Sequence, residues 1–269
     1  MSISAFLPYY VLAGSMAMIA AVLLGLHRAL IEAEWPGRDR GRAAWISAVV
    51  LIGWFGVVLA LAALGVYRAA SDRLPIIQYG ILVPLLLGGW WLGRSATAER
   101  LLAAVPQPWL IGVQSYRALG AIFLVLYGAG MLPGLFAWPA GLGDVLVGVL
   151  APVVGIAYAR RPRENGDLVA AWNIFGMVDL IVAVTTGFLT SPSPLQRFAF
   201  DRPNEIISVF PLVLIPAFLV PASMLLHVAS LAKLRRSARQ TDSSRSRTPL
   251  ATQPTEVGRS SPAQVELRS

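Results

Sequence analysis

Five polar side chains stand inside stretches that are otherwise hydrocarbon. Gln114 and Arg117 lie in IGVQSYRALG, Asp144 in GLGDVLVG, and Asn173 and Asp179 in AWNIFGMVDLIVAV. A charge at mid-bilayer costs a few kcal/mol by insertion scales, so it normally faces the interior of a bundle and finds a partner there. Arg117 is the one cation of the five, and Asp144 and Asp179 are the anions. Such residues can line a path or pocket for an ion or a small polar solute, with Asp179 as a titrating group if transport is proton-coupled. They can equally form a structural clasp that fixes helix packing, because buried polar groups serve specificity without chemistry. A water-filled cavity that reaches Asp179 would separate the two readings.

The elements that hold these residues follow from composition. Hydrophobic residues make up 56% of the 269 and charged residues 13%, against about 25% charged in ordinary globular chains. That balance defines a membrane protein. A bilayer core of about 30 Å takes roughly 20 apolar residues of helix. Seven segments qualify: 8–28, 44–67, 75–93, 109–132, 141–159, 168–190 and 209–231. Backbone polar groups in lipid must satisfy one another, so the segments are helices. The fold class is therefore an all-α polytopic bundle. The first span has no basic region before it and no good cleavage site after it, which fits an uncleaved membrane helix. Pro84, Pro152, Pro211, Pro216 and Pro221 fall in the third, fifth and seventh spans and predict kinks.

Basic residues set orientation. Arg28, Arg38, Arg40 and Arg42 follow span one, Arg94 and Arg100 follow span three, Arg160, Arg161 and Arg163 follow span five, and Lys233, Arg235, Arg236 and Arg239 follow span seven. The opposite loops hold Arg68, Arg73, Arg197 and Arg202, a bias of about threefold that puts the N-terminus outside and the C-terminus in the cytoplasm. Tyr9, Tyr10, Trp45, Trp90, Trp91, Trp109 and Trp138 fall near span ends as an aromatic belt does. The same distribution accounts for the net charge of +8 without nucleic acid. Two domains result: a transmembrane domain over 1–232 and a disordered, basic, Ser/Thr/Pro-rich cytoplasmic tail over 233–269. LAKLRRSAR at their junction suits anionic lipid headgroups. The loop 191–208, which mixes Phe198 and Phe200 with four charged residues, is long for a helix connection.

Depth refines the polar set. At 1.5 Å per residue Gln114 lies roughly 8 Å and Arg117 roughly 12 Å from the cytoplasmic end of span four, and Asn173 and Asp179 roughly 8 Å and 16 Å from that of span six. Arg117 has the reach to meet either. Asp144, four residues into span five, is expected to be shallower. Gly176 and Ala183 share a stripe with Trp172, Asp179 and Thr186, and Gly148, Ala151 and Gly155 share one with Asp144, so neighbouring backbones can approach closely. A polar core between spans four, five and six follows, centred on an Arg117–Asp179 pair.

Other chemistry is thin. With no cysteine, disulfides, thiolate metal sites and cysteine nucleophiles are excluded. Lys233 is the single lysine, and its place beyond the last span excludes a retinal Schiff base. The preference for arginine is what a GC-rich bacterial genome produces, and a bacterial plasma membrane is the expected location. GxxxxGK[ST], GxGxxG after a strand, HExxH and GxSxG are absent. No metal site is expected. His27 and His227, read as interfacial residues near the cytoplasmic ends of spans one and seven, leave axial haem ligation as a minor option.

From about 75 to 232 the order of QSYRALG, LPGLFAWPAGLGDVLVG, WNIFGMVDL and FPLVLIPAFLVPASMLLH resembles a widespread group of uncharacterised bacterial multi-helix membrane proteins. The resemblance implies an architecture and transfers no activity. The leading expectation is a small-solute or ion permease-like protein. A membrane sensor, scaffold or accessory subunit, with a homo-oligomer or a membrane partner, is the alternative, and a membrane-embedded enzyme or haem protein is the third.

Overall fold

Punctuation by glycine and proline sets where the helices stop. Gly65 (φ +69°) and Gly130 (φ +73°) adopt the left-handed conformation that an L side chain resists. After α2 (Gly37–Ala63), the amide of Gly65 donates to Ala62 and that of Val66 to Leu61. After α6 (Ala121–Gly128), Gly130 donates to Tyr127 and Met131 to Leu126. Both are Schellman caps, and each ends its span a few residues before the apolar run does. Pro36, Pro106 and Pro133, all in extended conformation, begin α2, α5 (Gln107–Gly112) and α7 (Gly134–Arg160), where a missing amide costs nothing.

The computed structural model describes residues 3–247, and these contain helices and no strands. The remaining helices are α1 (Ile3–Glu32), α3 (Ile77–Arg94), α4 (Ala96–Ala104), α8 (Gly166–Thr190) and α9 (Val220–Arg247). The fourth span is a composite of α5, a 3₁₀ stretch Val113–Gly120 and α6. The bundle lies in the first of two compact units, Met1–Arg235; the second, Arg236–Ser269, holds the end of α9 among its described residues. That helix runs past residue 233, where the tail was expected to start. The part of the expected disordered tail that covers 248–269 lies outside the described residues.

Among the described residues six helical segments are long and apolar enough to cross a membrane: Ala5–Glu32, Gly37–Ala63, Gln107–Gly128, Gly134–Arg160, Gly166–Thr190 and Ile215–Arg239. α3, the third expected span, is not among them. It has 18 residues and carries Gln78, Pro84 and Arg94, which dilute its apolar character. Prolines shape two other spans. Pro139 and Pro152 sit inside α7. The segment ahead of α9 widens into a π-helical turn, Ile215–Leu219, at Pro216, because a proline removes one rung of the helical ladder.

Spans that pack side by side run antiparallel in the following pairs. Tyr10 of α1 donates to Leu119 O (2.7 Å), and fifteen residues on, Gly25 packs beneath Trp109. Along α7, Gly148 lies against the backbone of Ala118, and Gly155 against Pro108 O. Trp172 Nε1 of α8 donates to Val147 O (3.3 Å). Asn173 and Gly176 of α8 meet Ser230 and His227 of α9 in reversed order. The main apolar core joins α1, α2, α6, α7 and the 207–222 segment around Leu126, Leu132, Val213 and Phe218, all fully buried. Phe218 takes Trp54 and Phe55 edge-on. Outward, Val57, Leu86, Leu87, Val153 and Ile181 are exposed, as lipid-facing residues are.

Candidate functional site

Arg117 is the hub, and the 3₁₀ stretch that carries it packs against α7 through glycines. A Cβ at Gly148 would strike the Ala118 amide, and one at Gly120 would strike Asp144. The backbones therefore approach closely, as the stripe of small residues on α7 predicts. This approach puts Arg117 Nε 2.7 Å from Asp144 Oδ1. Nη2 of the same guanidinium pairs with Asp179 of α8. Nη1 donates to Gly176 O (3.1 Å) and lies 3.1 Å from His227 Nε2. The Arg117 side chain is 2% exposed, that of Asp179 7% and that of Asp144 16%.

The hydrogen-bond arithmetic fixes the histidine. A guanidinium can only donate, so His227 Nε2 accepts. The ring proton is then on Nδ1, which donates to Asn173 Oδ1 at 2.9 Å. Asn173 agrees, because its Nδ2 is committed to Val169 O (2.8 Å) and Ser230 Oγ (2.9 Å), leaving Oδ1 free to accept. His227 is thus neutral. Ser230 Oγ also accepts from Gln107 Nε2 at 2.7 Å. A line of polar groups therefore runs through the bundle from Gln107, at the start of α5, to the Arg117 cluster. Gln114 belongs to a side branch: its Nε2 donates to Ser223 O (3.0 Å), and its Oε1 accepts from Ser223 Oγ (3.1 Å). Tyr116 closes that branch by hydrogen bonding to the same hydroxyl.

Four of the five sequence-derived residues thus come together, whereas Gln114 pairs with Ser223 instead, and three further revisions follow. Asp144 is not shallow. α7 begins at Gly134, so Asp144 lies roughly 15 Å along it, level with Arg117. Asn173 meets Arg117 through His227 rather than directly. His227 is not interfacial: it stands at the midpoint of the span Ile215–Arg239, fully buried. Both of its ring nitrogens are hydrogen bonded, and His27 is exposed on α1. Among the described residues no cluster of His, Asp and Glu could hold a metal ion. The residues that sequence reasoning missed, Ser223, His227 and Ser230, recur at i, i+4 and i+7 on α9, the spacing of one helix face. Lys233 also differs from expectation. It lies within α9 and donates to Leu102 O (2.7 Å) and Ala103 O (3.0 Å), carbonyls that the end of α4 leaves unpaired.

Two spaces reach the cluster. The larger, about 60 Å³, has walls that include Ile81, Phe123, Phe136, Val184 and Phe188. Its upper rim is formed by Tyr67, Ser191 and Ser208 from the loops between spans, and Asp144 lies at its other end. The second, about 40 Å³, lies between Tyr10 and Gly14 of α1 and Leu219 and Ser223, and it also touches Arg117 and Asp144. The carboxylate open to space is therefore Asp144. Asp179 lines neither, and one of its oxygens sits where a Cβ of Gly143 would be.

Six apolar spans around a buried charge cluster define a multi-pass integral membrane protein in contact with the lipid bilayer. The particular family follows from comparison: residues 74–235 match the model described as domain of unknown function DUF8737, and the chain belongs to that family. The chain is also similar to the vitamin B12 import system permease protein BtuC of Citrobacter koseri, 27% identical over 151 residues, which cover 52% of this chain and 45% of the relative. The BtuC protein of Salmonella newport is 26% identical over the same shares. The matched stretch thus spans about half the length of these curated relatives. No solved structure matches. Together the apolar helices and the bacterial permease relatives make this a multi-pass inner-membrane protein.

Proposed function

We propose that this protein is a carrier that moves a small solute or ion across the inner membrane, with Asp144 as the contact residue and Arg117 and Asp179 as its charged support. One observation carries the reading: an apolar cavity descends from loops between spans to a carboxylate in the bundle interior. An ionisable group at that depth which also faces open space marks a substrate or ion path. The polar line Gln107–Ser230–Asn173–His227 supplies a complementary approach from the other side, with Gln114 beside it. The relatives' description as import permeases supports transport. Their cargo is another matter, since a corrinoid greatly exceeds a space of about 60 Å³.

In this reading α3 crosses the membrane as a seventh span. Gly80 lies near Ala217, and Gly88 against Leu225, so α3 runs parallel to an established span at the same level. Eighteen residues at 1.5 Å each reach about 27 Å, close to the hydrocarbon thickness. Seven spans and the arginine bias put the N-terminus and the cavity rim outside, with α4, Lys233 and the end of α9 at the cytoplasmic face, near anionic headgroups and any partner subunit.

The cysteine-free sequence makes the test clean. Val184→Cys and Ser208→Cys each introduce a single thiol. A membrane-impermeant thiol reagent added outside should modify both, while Ser95→Cys, just after α3, should react from the cytoplasmic side alone. Reconstituted wild type should carry a proton or solute flux above that of empty vesicles, and Asp144→Asn should lose it. Absence of flux together with an unreactive Val184→Cys refutes the carrier.

A further inference from the structure

We infer that the outer cavity binds a small monovalent organic cation, which docks its charge on Asp144 in place of a proton. The inference rests on the carrier reading and adds the class of ligand. It starts from a charge count. Arg117 brings one positive charge, Asp144 and Asp179 two negative ones, and His227, donating from Nδ1 and accepting at Nε2, none. The other titratable groups facing Asp144 are Tyr10 from α1, Tyr116 from the 3₁₀ stretch and Tyr67 from the loop after α2, all neutral as phenols. No lysine, and no arginine besides Arg117, lines either space. One negative charge is left over inside an apolar bundle, where it must be neutralised. Asp144 is where that happens: Oδ1 takes Arg117, and Oδ2 has no hydrogen-bond partner among the described residues.

The walls select the cation. An anion is repelled. A divalent metal needs several oxygen ligands, and the described residues form no such cluster. A bare alkali ion would exchange its water shell for three phenyl rings and aliphatic side chains, with hydroxyls at Tyr67, Ser191 and Ser208 alone. An ammonium with an apolar body gains on each count. Its charge meets Asp144, its carbons replace water against Ile81 and Val184, and Phe123, Phe136 and Phe188 are among the lining residues, a residue type whose ring face attracts organic cations. Charge balances in both states. With the cavity empty, Asp144 carries a proton and the cluster is neutral; when the cation enters, that proton leaves to water and the cation–carboxylate pair restores neutrality.

Ethylammonium, which stays charged across the physiological range and whose short carbon body suits a space of about 60 Å³, is the probe, with ethanol and acetate as the neutral and anionic controls. Calorimetry on the full chain in lipid nanodiscs should show binding of the cation and of neither control. Affinity should fall by up to about tenfold per pH unit on acidification, the limit for competition with one proton, with one proton released per cation bound. Asp144→Asn should weaken binding by at least about tenfold and abolish its pH dependence. Ala183→Phe, which fills the cavity and leaves the charges in place, should remove binding by itself. Binding no tighter than that of ethanol, or an unchanged affinity and pH profile in Asp144→Asn, overturns the inference. If the cation fails while Val184→Cys is labelled from outside and flux persists, the ligand class falls and the carrier stands; a sealed Val184→Cys without flux removes both.

Discussion

Replacing Arg117 by methionine keeps most of the side-chain volume and removes the charge. Four acceptors then lose a donor: Asp144 Oδ1, Asp179, Gly176 O and His227 Nε2. Breaking a buried ion pair by deleting one partner costs about 3–5 kcal/mol, chiefly because the other charge is left without compensation. Here two carboxylates are orphaned. Asp144 has a cavity in which to take a proton or water, whereas Asp179 sits tightly against Gly143, so the Asp179 side dominates. A loss near the top of that range is expected, about 5 kcal/mol. It should appear as a large drop in the detergent fraction needed to unfold the purified bundle, followed by circular dichroism in mixed micelles. The informative variant is the triple replacement Arg117→Met with Asp144→Asn and Asp179→Asn. It removes both orphan charges and should recover more than half of the loss, a non-additivity that only a shared network produces. If Arg117→Met unfolds within about 1 kcal/mol of wild type, or if the triple variant is no more stable than the single one, the hub is not what holds these helices.

Three further outcomes follow from the same contacts. Gly148→Ala should cost about 1–3 kcal/mol, because its new methyl meets the Ala118 backbone, while Gly88→Ala should cost less, since it meets the flexible end of Leu225; the same unfolding assay ranks them. His227→Phe should cost about 1–3 kcal/mol by leaving one of the two Arg117 Nη1 protons and Asn173 Oδ1 unmatched, and His227→Gln should recover part of that, read as thermal stability in detergent. The charge swap Arg117→Asp with Asp179→Arg should fail to restore folding, since the new arginine on α8 would leave the Asp144 and His227 contacts of Arg117 unmade; recovery of a monodisperse gel-filtration peak would reduce the cluster to a simple pair.

The membrane class and the meeting of Arg117 with Asp179 were legible because both rest on lengths. Helical rise converts position into depth, and charges at one depth inside lipid have few other partners. What sequence did not disclose depends on where helices begin and end. An apolar run suggests that span five starts near 141, yet a proline is accepted five residues inside a helix that starts at Gly134, and the shift moves Asp144 from the rim to the centre. The reverse error hid His227. Its run ends at 231, but the helix continues to Arg247, because polar residues after the apolar ones go on making backbone hydrogen bonds beyond the hydrocarbon. The tilt of α3 against its neighbours and the packing that opens a cavity are tertiary facts with no local signature.

The division of labour between the two aspartates follows from their glycines. Asp179 occupies the volume a side chain at 143 would need, so glycine at that position is the condition for its pairing, and the fit leaves it no access to either cavity. Asp144 fills the corresponding gap at Gly120, but from the rim of two spaces. A carboxylate locked between helices can set register, yet it cannot exchange ligands without separating those helices. One that is held by a single oxygen can exchange a proton or a cation while the guanidinium keeps its place. On the proposed carrier reading, the midplane carboxylate that sequence singles out is the clasp, and the working site is the neighbour that sequence places too near the surface.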